Sequence, residues 1–501
     1  MRPMKSAHFV LTFTVALSLA GSTACNRGKV GEVSAAASDA AKIPITTTSD
    51  QARNEFLLGR DLSERLLGQE SLQHFEKAVA LDPDFACAEL ALANNSATAK
   101  DFFDHQKKAV GLADKASEGE KLLILANEAG ANGDVSKQKD YLDKLVAAYP
   151  NDERAQFTLA NYYFGQQDVE QAVEHYKKAT ELAPNYSPAY NVLGYAYRQQ
   201  GNYADAEQAF RKYIELIPKD PNPYDSYAEL LLKMGRFDDS LAQYHKALSI
   251  DPHFVPSHFG IAADQMYLGK PDDATAELQK MVEQARNDGE RRTAFFGMAV
   301  VAADNGKLDK ALQAMDKEYA VAEKKNDMAS MAADLQAKGN ILAEMPKYDE
   351  AKRQFDRSLQ LIQSSHLSQD IKDNAALLHH FNLTILAIGK KDLAAARTHA
   401  EEFQRGAEAS KNPVQLRQSH ELAGRIALAE KDYDTAIAEF ERANQQNPGN
   451  LYRLGLAYQG KGDKARAQEF CSKAADFNSL PQLNYAFIRA KAQKMAAEKK
   501  A

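Results

Sequence analysis

The histidines of this 501-residue chain are the first side chains to test for chemistry, because histidine serves as a general base and as a metal ligand. His379 and His380 are adjacent, and neighbours on a helix point about 100° apart. They therefore lack the i,i+4 spacing that places two ligands on one helix face. His253 and His258 have no spaced partner that would complete a catalytic pair. We predict packing or surface roles for all four, and neither a catalytic residue nor a metal site.

Short motifs with a known chemical mechanism are also missing from the sequence. It contains no glycine-rich phosphate loop, no G-x-S-x-G elbow, no H-E-x-x-H and no pair of C-x-x-C motifs. We therefore predict a protein that is not an enzyme and that needs no cofactor. One alternative stays open, in which His258 and carboxylates from distant segments assemble a catalytic site in the fold.

The composition bounds the class of partner. The formal net charge of −7 is small for this length and provides no basic patch for a nucleic acid, so we predict no nucleic-acid partner. Hydrophobic residues make up 44% of the chain, which suits closely packed helices. Cys87 and Cys471 lie far apart in the sequence, and we predict that each packs as a buried thiol rather than in a disulfide.

The elements that must position any functional side chain follow a regular repeat between residues 153 and 252. Prolines recur every 34 residues there, and a small residue precedes each proline by 24 positions. Bulky apolar residues flank the small residue at helical intervals, so each block predicts two short helices joined by a turn. The prolines are Pro184, Pro218 and Pro252, and the small residues are Ala160, Gly194 and Ala228. One such pair cannot bury its apolar face alone, so stability must come from stacking on the next pair.

This spacing resembles the tetratricopeptide repeat. The resemblance implies an all-α fold, a right-handed α-solenoid of antiparallel helix pairs whose first helices line a concave groove. We assign residues 51–286 to an N-terminal array and residues 287–478 to a looser C-terminal array, because the packing alanines of the latter are 40 to 45 residues apart. These alanines are Ala311, Ala351, Ala396 and Ala436. Residues 479–501 are predicted to form a capping helix.

The N-terminus has the pattern of an export signal. Arg2 and Lys5 precede an apolar run at residues 8–20 that is too short to span a bilayer comfortably. The following segment, from Ser22 to Cys25, resembles the lipobox of bacterial lipoproteins, with Ser22 in the place of the usual leucine.

That resemblance implies a signal peptide at residues 1–24, a lipid on Cys25, and a flexible tether at residues 25–50. Asn26 is not the aspartate associated with inner-membrane retention, so a lipid anchor at the periplasmic face of the outer membrane is expected. The alternative is ordinary cleavage after Ala24, which would give a secreted or soluble periplasmic protein.

The repeat resemblance also implies that partners bind along the groove side of the first helices. Aromatic rings and amides there suit an extended peptide, because rings provide contact area and amides satisfy its backbone. The residues assigned to this partner-binding groove are Phe157, Asn161, Phe164, Asn191, Tyr195, Arg198, Asp225, Glu229, Phe259, Met266 and Tyr267. The alternative is that the aromatic residues pack between helices.

We therefore predict a non-catalytic scaffold or adaptor that binds protein or peptide partners at the bacterial cell envelope. A second possibility comes from residues 116–150, which resemble the repeat halves of certain bacterial kinases and regulators. It implies a protein that senses a peptide or another ligand.

Overall fold

The structure, a computed structural model, describes residues 42–497. Within this range the chain forms 25 α-helices and no strand, which confirms the all-α solenoid predicted from the sequence. None of the helices in the range has both the length and the apolar composition needed to cross a membrane. The predicted signal peptide, Cys25 and the first part of the predicted tether lie outside the described residues.

The helices are numbered in chain order. The first eight are α1 (Asp50–Glu64), α2 (Gly68–Leu81), α3 (Ala86–Asn95), α4 (Ala99–Leu112), α5 (Glu118–Asn132), α6 (Val135–Ala148), α7 (Glu153–Gly165) and α8 (Val169–Leu182). The next eight are α9 (Ser187–Gln200), α10 (Tyr203–Leu216), α11 (Asn222–Lys233), α12 (Phe237–Ile250), α13 (Val255–Tyr267), α14 (Pro271–Gln284), α15 (Asp288–Asp304) and α16 (Leu308–Lys324). The last nine are α17 (Met328–Glu344), α18 (Tyr348–Ser364), α19 (Gln369–Gly389), α20 (Leu393–Ser410), α21 (Pro413–Glu430), α22 (Tyr433–Arg442), α23 (Pro448–Lys461), α24 (Lys464–Ala475) and α25 (Leu483–Ala497).

The pair α9–α10 shows how local sequence sets the hairpin. Gly201 ends α9 with a φ of 78°, a left-handed conformation that glycine adopts without strain. The side chain of Asn202 then accepts a hydrogen bond from the backbone N–H of Asp205 and caps α10. Pro218 follows two residues after α10 ends, at the spacing the sequence predicted, because proline cannot continue a helix.

Close approach of the two helices in a pair requires the small residue of the repeat. A Cβ atom added at Gly194 would lie 2.8 Å from the ring of Phe210, and one added at Gly424 would lie 2.9 Å from the ring of Phe440. Such distances are too short for a carbon–carbon contact. The small residue and the large ring sixteen positions later therefore form one packing unit.

Helix length separates the regular repeats from the longer ones. Helices α7 to α10 have 13 or 14 residues, whereas α15 to α18 have 17 residues each. At about 1.5 Å per residue, each of the longer helices gains nearly one turn. The packing alanines with the wider spacing are all 0% exposed: Ala311, Ala351, Ala396 and Ala436. The longer period thus lengthens the helices and keeps the same packing.

Two compact units divide the chain. Unit 1 comprises residues 42–230 and 242–257 of the described range, and unit 2 comprises residues 231–241 and 258–497. The division at residue 287 that the sequence suggested stays a prediction.

Residues 42–49 of unit 1, assigned to the tether from the sequence, pack as an extended segment along the starts of several first helices. The backbone N–H of Ile43 donates to Asp152 at 2.9 Å, and that of Thr46 donates to Glu120 at 2.8 Å. Packed structure in unit 1 therefore includes residues N-terminal to Gln51, because the acidic groups at these helix starts also bind the preceding chain.

Unit 2 ends with α25, which packs against α23 and α24 and also against the first helices α15 and α17. Its buried Leu483 and Ala486 belong to the same apolar cluster as Ala299 and Ile341. The predicted capping helix therefore does more than cover the last hairpin: it lies on the side of unit 2 that the first helices line.

Candidate functional site

Most of the predicted groove residues are buried by the chain itself. Seven have less than a tenth of their surface exposed: Phe164, Asn191, Tyr195, Asp225, Glu229, Phe259 and Met266. The other four are half-buried: Phe157, Asn161, Arg198 and Tyr267. The structure thus favours the packing interpretation for the seven, and their role in partner binding stays a prediction.

The half-buried residues of unit 1 are held by neighbouring side chains. Asn161 accepts a hydrogen bond from the Tyr176 hydroxyl at 2.7 Å. The guanidinium of Arg198 lies 4.6 Å from the ring centre of Tyr195 and 3.4 Å from a carboxylate oxygen of Glu229. These contacts fix the side chains along the first helices and leave only their outer edges for a partner.

Two salt bridges tie the end of α1 to later repeats of unit 1. Arg154, at the start of α7, holds Glu64 with two hydrogen bonds of 2.7 and 3.0 Å. Arg65 holds Asp220, which precedes α11, with two hydrogen bonds of 2.7 Å. Paired bonds of this kind are directional as well as strong. The first hairpin is therefore fastened across the first helices of the fourth and sixth hairpins.

In unit 2 the predicted groove at Tyr267 is occupied by the chain's own C-terminal segment. The Tyr267 hydroxyl donates to the backbone carbonyl of Ser479, and the ammonium of Lys233 donates to that of Phe477. The Lys233 nitrogen also lies 3.6 Å from the centre of the Phe477 ring. Tyr267 thus does not face open solvent as a groove residue would, because the residues before α25 bind there.

Arg489 secures this segment further along. It is 15% exposed and pairs with Asp304, which is 5% exposed, through two hydrogen bonds. Close to the start of α25 the Tyr485 ring is buried at 1% exposure, and its hydroxyl donates to the carbonyl of Ala475 at 2.7 Å. An extended stretch followed by a helix therefore lies in unit 2 in the way a bound peptide would.

A cavity remains on the first helices α19, α21 and α23. Its volume is about 200 Å³, it is partly open to solvent, and both aliphatic and basic residues line it. The lining residues are Ile385, Ile388, Arg425, Leu428, Ala429 and Arg453. This cavity is the candidate binding site of unit 2, and it was not predicted from the sequence.

The charges around the cavity do not balance. Glu421 is 2% exposed and binds the Arg425 guanidinium at 2.5 and 3.0 Å. Its second oxygen accepts from the amides of Asn447 and Asn450 at 3.3 and 3.2 Å. The guanidinium of Arg453 lies only at 4.0 Å from Glu421. Two cations therefore share one buried carboxylate that is already hydrogen-bonded.

Burial and the neighbouring Arg425 lower the pKa of Arg453 to about 9. The guanidinium is still charged at pH 7, but its surroundings supply less compensation than water would. Its Nη1 atom also lies over the first turn of α23, since a Cβ atom added at Gly449 would be 2.8 Å from it. The start of a helix carries partial positive charge, so the potential at this end of the cavity is positive.

One signal in the sequence could have identified Arg425. It directly follows Gly424, the small packing residue of its repeat, just as Asn161 follows Ala160 and Tyr195 follows Gly194. The position after the small residue was assigned to the groove in the regular repeats, and the same assignment at residue 425 would have identified Arg425. Arg453 had no such signal, because it stands two residues before the small residue Gly455.

The histidines pair within hairpins. His258 is buried, as predicted, and its Nδ1 atom lies 2.5 Å from Glu277, nineteen residues later. His380 meets His399 at 3.2 Å with the same offset of nineteen. Within residues 42–497 no group of three or more side chains has the arrangement of a metal site. The offset reflects the geometry of an antiparallel pair, in which such positions face each other.

The cysteines differ in their environment. Cys471 is 0% exposed, as predicted for a packed thiol, whereas Cys87 is only half-buried. Burial and the carboxylate of Glu120 raise the pKa of the Cys87 thiol well above its usual value. Both effects favour the protonated form of this thiol.

Comparisons with known families agree with the helical pattern. Models described as tetratricopeptide repeat match residues 125–187, 157–221, 222–254 and 448–479. A model described as tetratricopeptide repeat-like domain matches residues 255–373. No curated protein sequence matches the chain.

Several solved structures resemble parts of the chain. A tetratricopeptide repeat protein from Parabacteroides merdae is 15% identical, with a TM-score of 0.35, and the match covers 57% of this chain and 100% of that one. PilW, described as a type IV pilus biogenesis factor, is 21% identical with a TM-score of 0.31, covering 44% of this chain and 96% of that one. YrrB, described as a repeat protein with an unusual peptide-binding site, is 21% identical with a TM-score of 0.25, covering 38% and 96%.

Proposed function

We propose, from the premise that this chain is built of tetratricopeptide repeats, that it is a non-catalytic scaffold or adaptor for protein partners. In this proposal the scaffold is exported and held at the bacterial cell envelope by a lipid on Cys25. The repeats themselves are shown, and the partners and the anchor are the proposed part.

The observation that carries the scaffold role is the docking of residues 477–479 in unit 2. Lys233 and Tyr267 donate to backbone carbonyls of that segment, so they recognise main chain rather than one particular side chain. Recognition of an extended main chain together with pockets for side chains is a general mode of peptide binding. First helices of this chain thus have the donors and the aromatic surface that a peptide needs.

The enzyme alternative gains no specific support within residues 42–497. His258 and Glu277 face each other inside a hairpin, and both are mostly buried. A catalytic base has to reach a substrate proton, so this pair serves the packing of α13 on α14.

Site-specific photo-crosslinking in intact envelopes tests the scaffold role. Phe157 on α7 and Phe102 on α4 are both half-buried phenylalanines, the first on a first helix and the second on a second helix. A photoreactive phenylalanine at position 157 should capture a protein partner, and the matched replacement at position 102 should not. The same adducts from both positions, or none from Phe157 or its neighbour Asn161, would contradict the proposed surface.

Fractionation tests the anchor separately. The unaltered chain should sediment with membranes, and Cys25→Ser should appear in the soluble fraction, because the lipid-carrying thiol is gone. Cys87→Ser is the matched control, because it removes a different thiol and should leave the distribution unchanged. Membrane retention of Cys25→Ser would argue against a lipid anchor and leave the scaffold role intact.

A further inference from the structure

We propose that the cavity on α19, α21 and α23 is a docking pocket for an acidic peptide segment. A carboxylate of the peptide would lie between Arg425 and Arg453, and an adjacent aliphatic side chain would lie on Ile385, Ile388 and Leu428. This inference rests on the proposed scaffold function, because it names the class of partner that one surface of the scaffold takes.

Charge complementarity identifies the acidic group. Within the described part of the chain no hydrogen bond reaches the Arg453 guanidinium, and its contact with Glu421 is 4.0 Å long. Its side chain is 19% exposed, so solvation is incomplete. A carboxylate can accept two parallel hydrogen bonds from a guanidinium, which is the geometry that arginine favours. The bound anion would also be favoured by the start of α23.

The Arg425 side chain is held ready for this role. Its Nε and Nη2 atoms both bind Glu421, and Glu421 is fixed in turn by Asn447 and Asn450. A carboxylate arriving from solvent therefore meets a guanidinium that does not have to be ordered on binding. Lower ordering cost favours affinity.

The aliphatic wall and the size identify the rest of the ligand. Ile385, Ile388 and Leu428 are half-buried, so part of their apolar surface is still exposed to water. The cavity volume of about 200 Å³ is smaller than the roughly 300–1,000 Å³ of pockets that enclose a drug-sized molecule. A pocket of this size takes one or two side chains of a peptide that continues along the groove.

The nearest competing acid of the chain is already engaged. Glu344, at the end of α17, contributes to the potential at Arg453, but it forms a 2.9 Å ion pair with Lys491 on α25. Lys491 on the docked C-terminal helix thereby offsets part of the negative charge that Glu344 contributes near Arg453. An external carboxylate meets two guanidiniums and one carboxylate that is fully hydrogen-bonded.

Titration calorimetry on the full chain tests the proposal with three probes. The first is a five-residue peptide with a central glutamate between two leucines and both ends blocked, the second has glutamine in place of the glutamate, and the third is hexanoate. The glutamate peptide should bind, and the glutamine peptide should bind at least about tenfold more weakly. Hexanoate should bind more weakly than the glutamate peptide, because it makes no main-chain contacts.

Variants locate the binding. Arg453→Gln should lose at least about tenfold in affinity for the glutamate peptide, and Arg453→Lys should recover only part of it, because lysine lacks the planar fork. Arg442→Gln is the matched control, since Arg442 lies on the second helix α22 and its side chain is 64% exposed. Ile388→Ser probes the aliphatic wall with the charges left in place.

Equal affinity for the two peptides, equal loss in Arg442→Gln, or no binding at millimolar peptide would overturn the proposal. Tighter binding of hexanoate than of the peptide would overturn it too, since the site would then serve a small acid. If Arg453→Gln unfolds at the same temperature as the wild type, its loss of affinity is not caused by a loss of folded structure. Photo-crosslinking from Phe157 reports on unit 1, so the pocket can fail while the scaffold role stands.

Discussion

Replacing Asp264 with leucine should stabilise the protein at neutral pH. Asp264 on α13 is 0% exposed, and within residues 42–497 neither of its carboxylate oxygens accepts a well-formed hydrogen bond. Burial raises the pKa of this carboxyl to about 8, and the nearby Ser240 hydroxyl offsets only part of the rise. One repeat earlier the same position holds Leu230, which is also 0% exposed, so an apolar side chain fits this register.

The magnitude follows from the difference between the folded and unfolded pKa values. The unfolded carboxyl has an ordinary pKa of 3.8, so it loses its proton at a much lower pH than the folded one. Below about pH 4 the carboxyl is protonated in both states and does not oppose folding. As the pH rises toward 8 the unfolded chain alone loses this proton, so the folded state is progressively disfavoured. At about 1.36 kcal/mol per pKa unit, the cost relative to acid pH is roughly 2 kcal/mol at pH 5 and roughly 4 kcal/mol at pH 7.

Urea denaturation of the full chain, repeated at several values between pH 5 and pH 8, measures the effect. The free energy of unfolding of the Asp264→Leu variant minus that of the wild type should increase with pH across this range. Asp264→Asn is the second variant, because asparagine keeps the shape and cannot ionise. It should show the same pH trend with a smaller absolute gain, since a buried amide also needs hydrogen-bond partners.

Parallel pH curves for the wild type and both variants would refute the reasoning. They would show that Asp264 has the same pKa in the folded and unfolded chain, and hence that water or a polar group reaches it. A stabilisation by Asp264→Leu that does not change with pH would point to apolar packing alone.

Two further substitutions test the docking of the C-terminal segment and the close packing of hairpins. Arg489→Ala leaves the nearly buried Asp304 without its guanidinium partner. We therefore expect the free energy of unfolding to fall by about 3 kcal/mol and hydrogen exchange to become faster throughout α25. Unchanged exchange would show that apolar contacts alone hold the helix. Gly339→Ala would place a Cβ atom 2.3 Å from the Phe355 ring and should destabilise the fold by about 1–3 kcal/mol in thermal unfolding. Gly111→Ala, whose Cβ atom would have nothing within 4 Å, should stabilise it by about 0.5–1 kcal/mol in the same measurement. Equal effects of the two glycine substitutions would contradict the packing argument.

The hairpins could be predicted from the sequence because their determinants are local. Gly194 and Phe210 are sixteen residues apart, and the turn between them is fixed by Gly201. The pattern repeats with each block, so several weak signals coincide in one register.

The occupancy of the groove could not be predicted, since it depends on residues far apart in the chain. Tyr267 binds the carbonyl of Ser479, more than two hundred positions later. No periodicity links these two residues. The Arg453 site could not be predicted for a related reason. Whether the Arg453 charge is compensated depends on the carboxylates that the fold brings near it, and the pairing of Glu421 with Arg425 is seen only in the structure.

The matched lengths of α15 to α18 restrict how such an array can grow. Both helices of the hairpin α15–α16 are longer by almost one turn than α7 and α8, which fits the repeat period of 40 rather than 34 residues. In a hairpin of two equal helices, three or four residues inserted in one helix alone would leave the new turn without a neighbour on the other helix. An engineer who wishes to deepen the groove at these hairpins would therefore lengthen both helices, whereas the hairpin of α21 and α22 already combines helices of 18 and 10 residues.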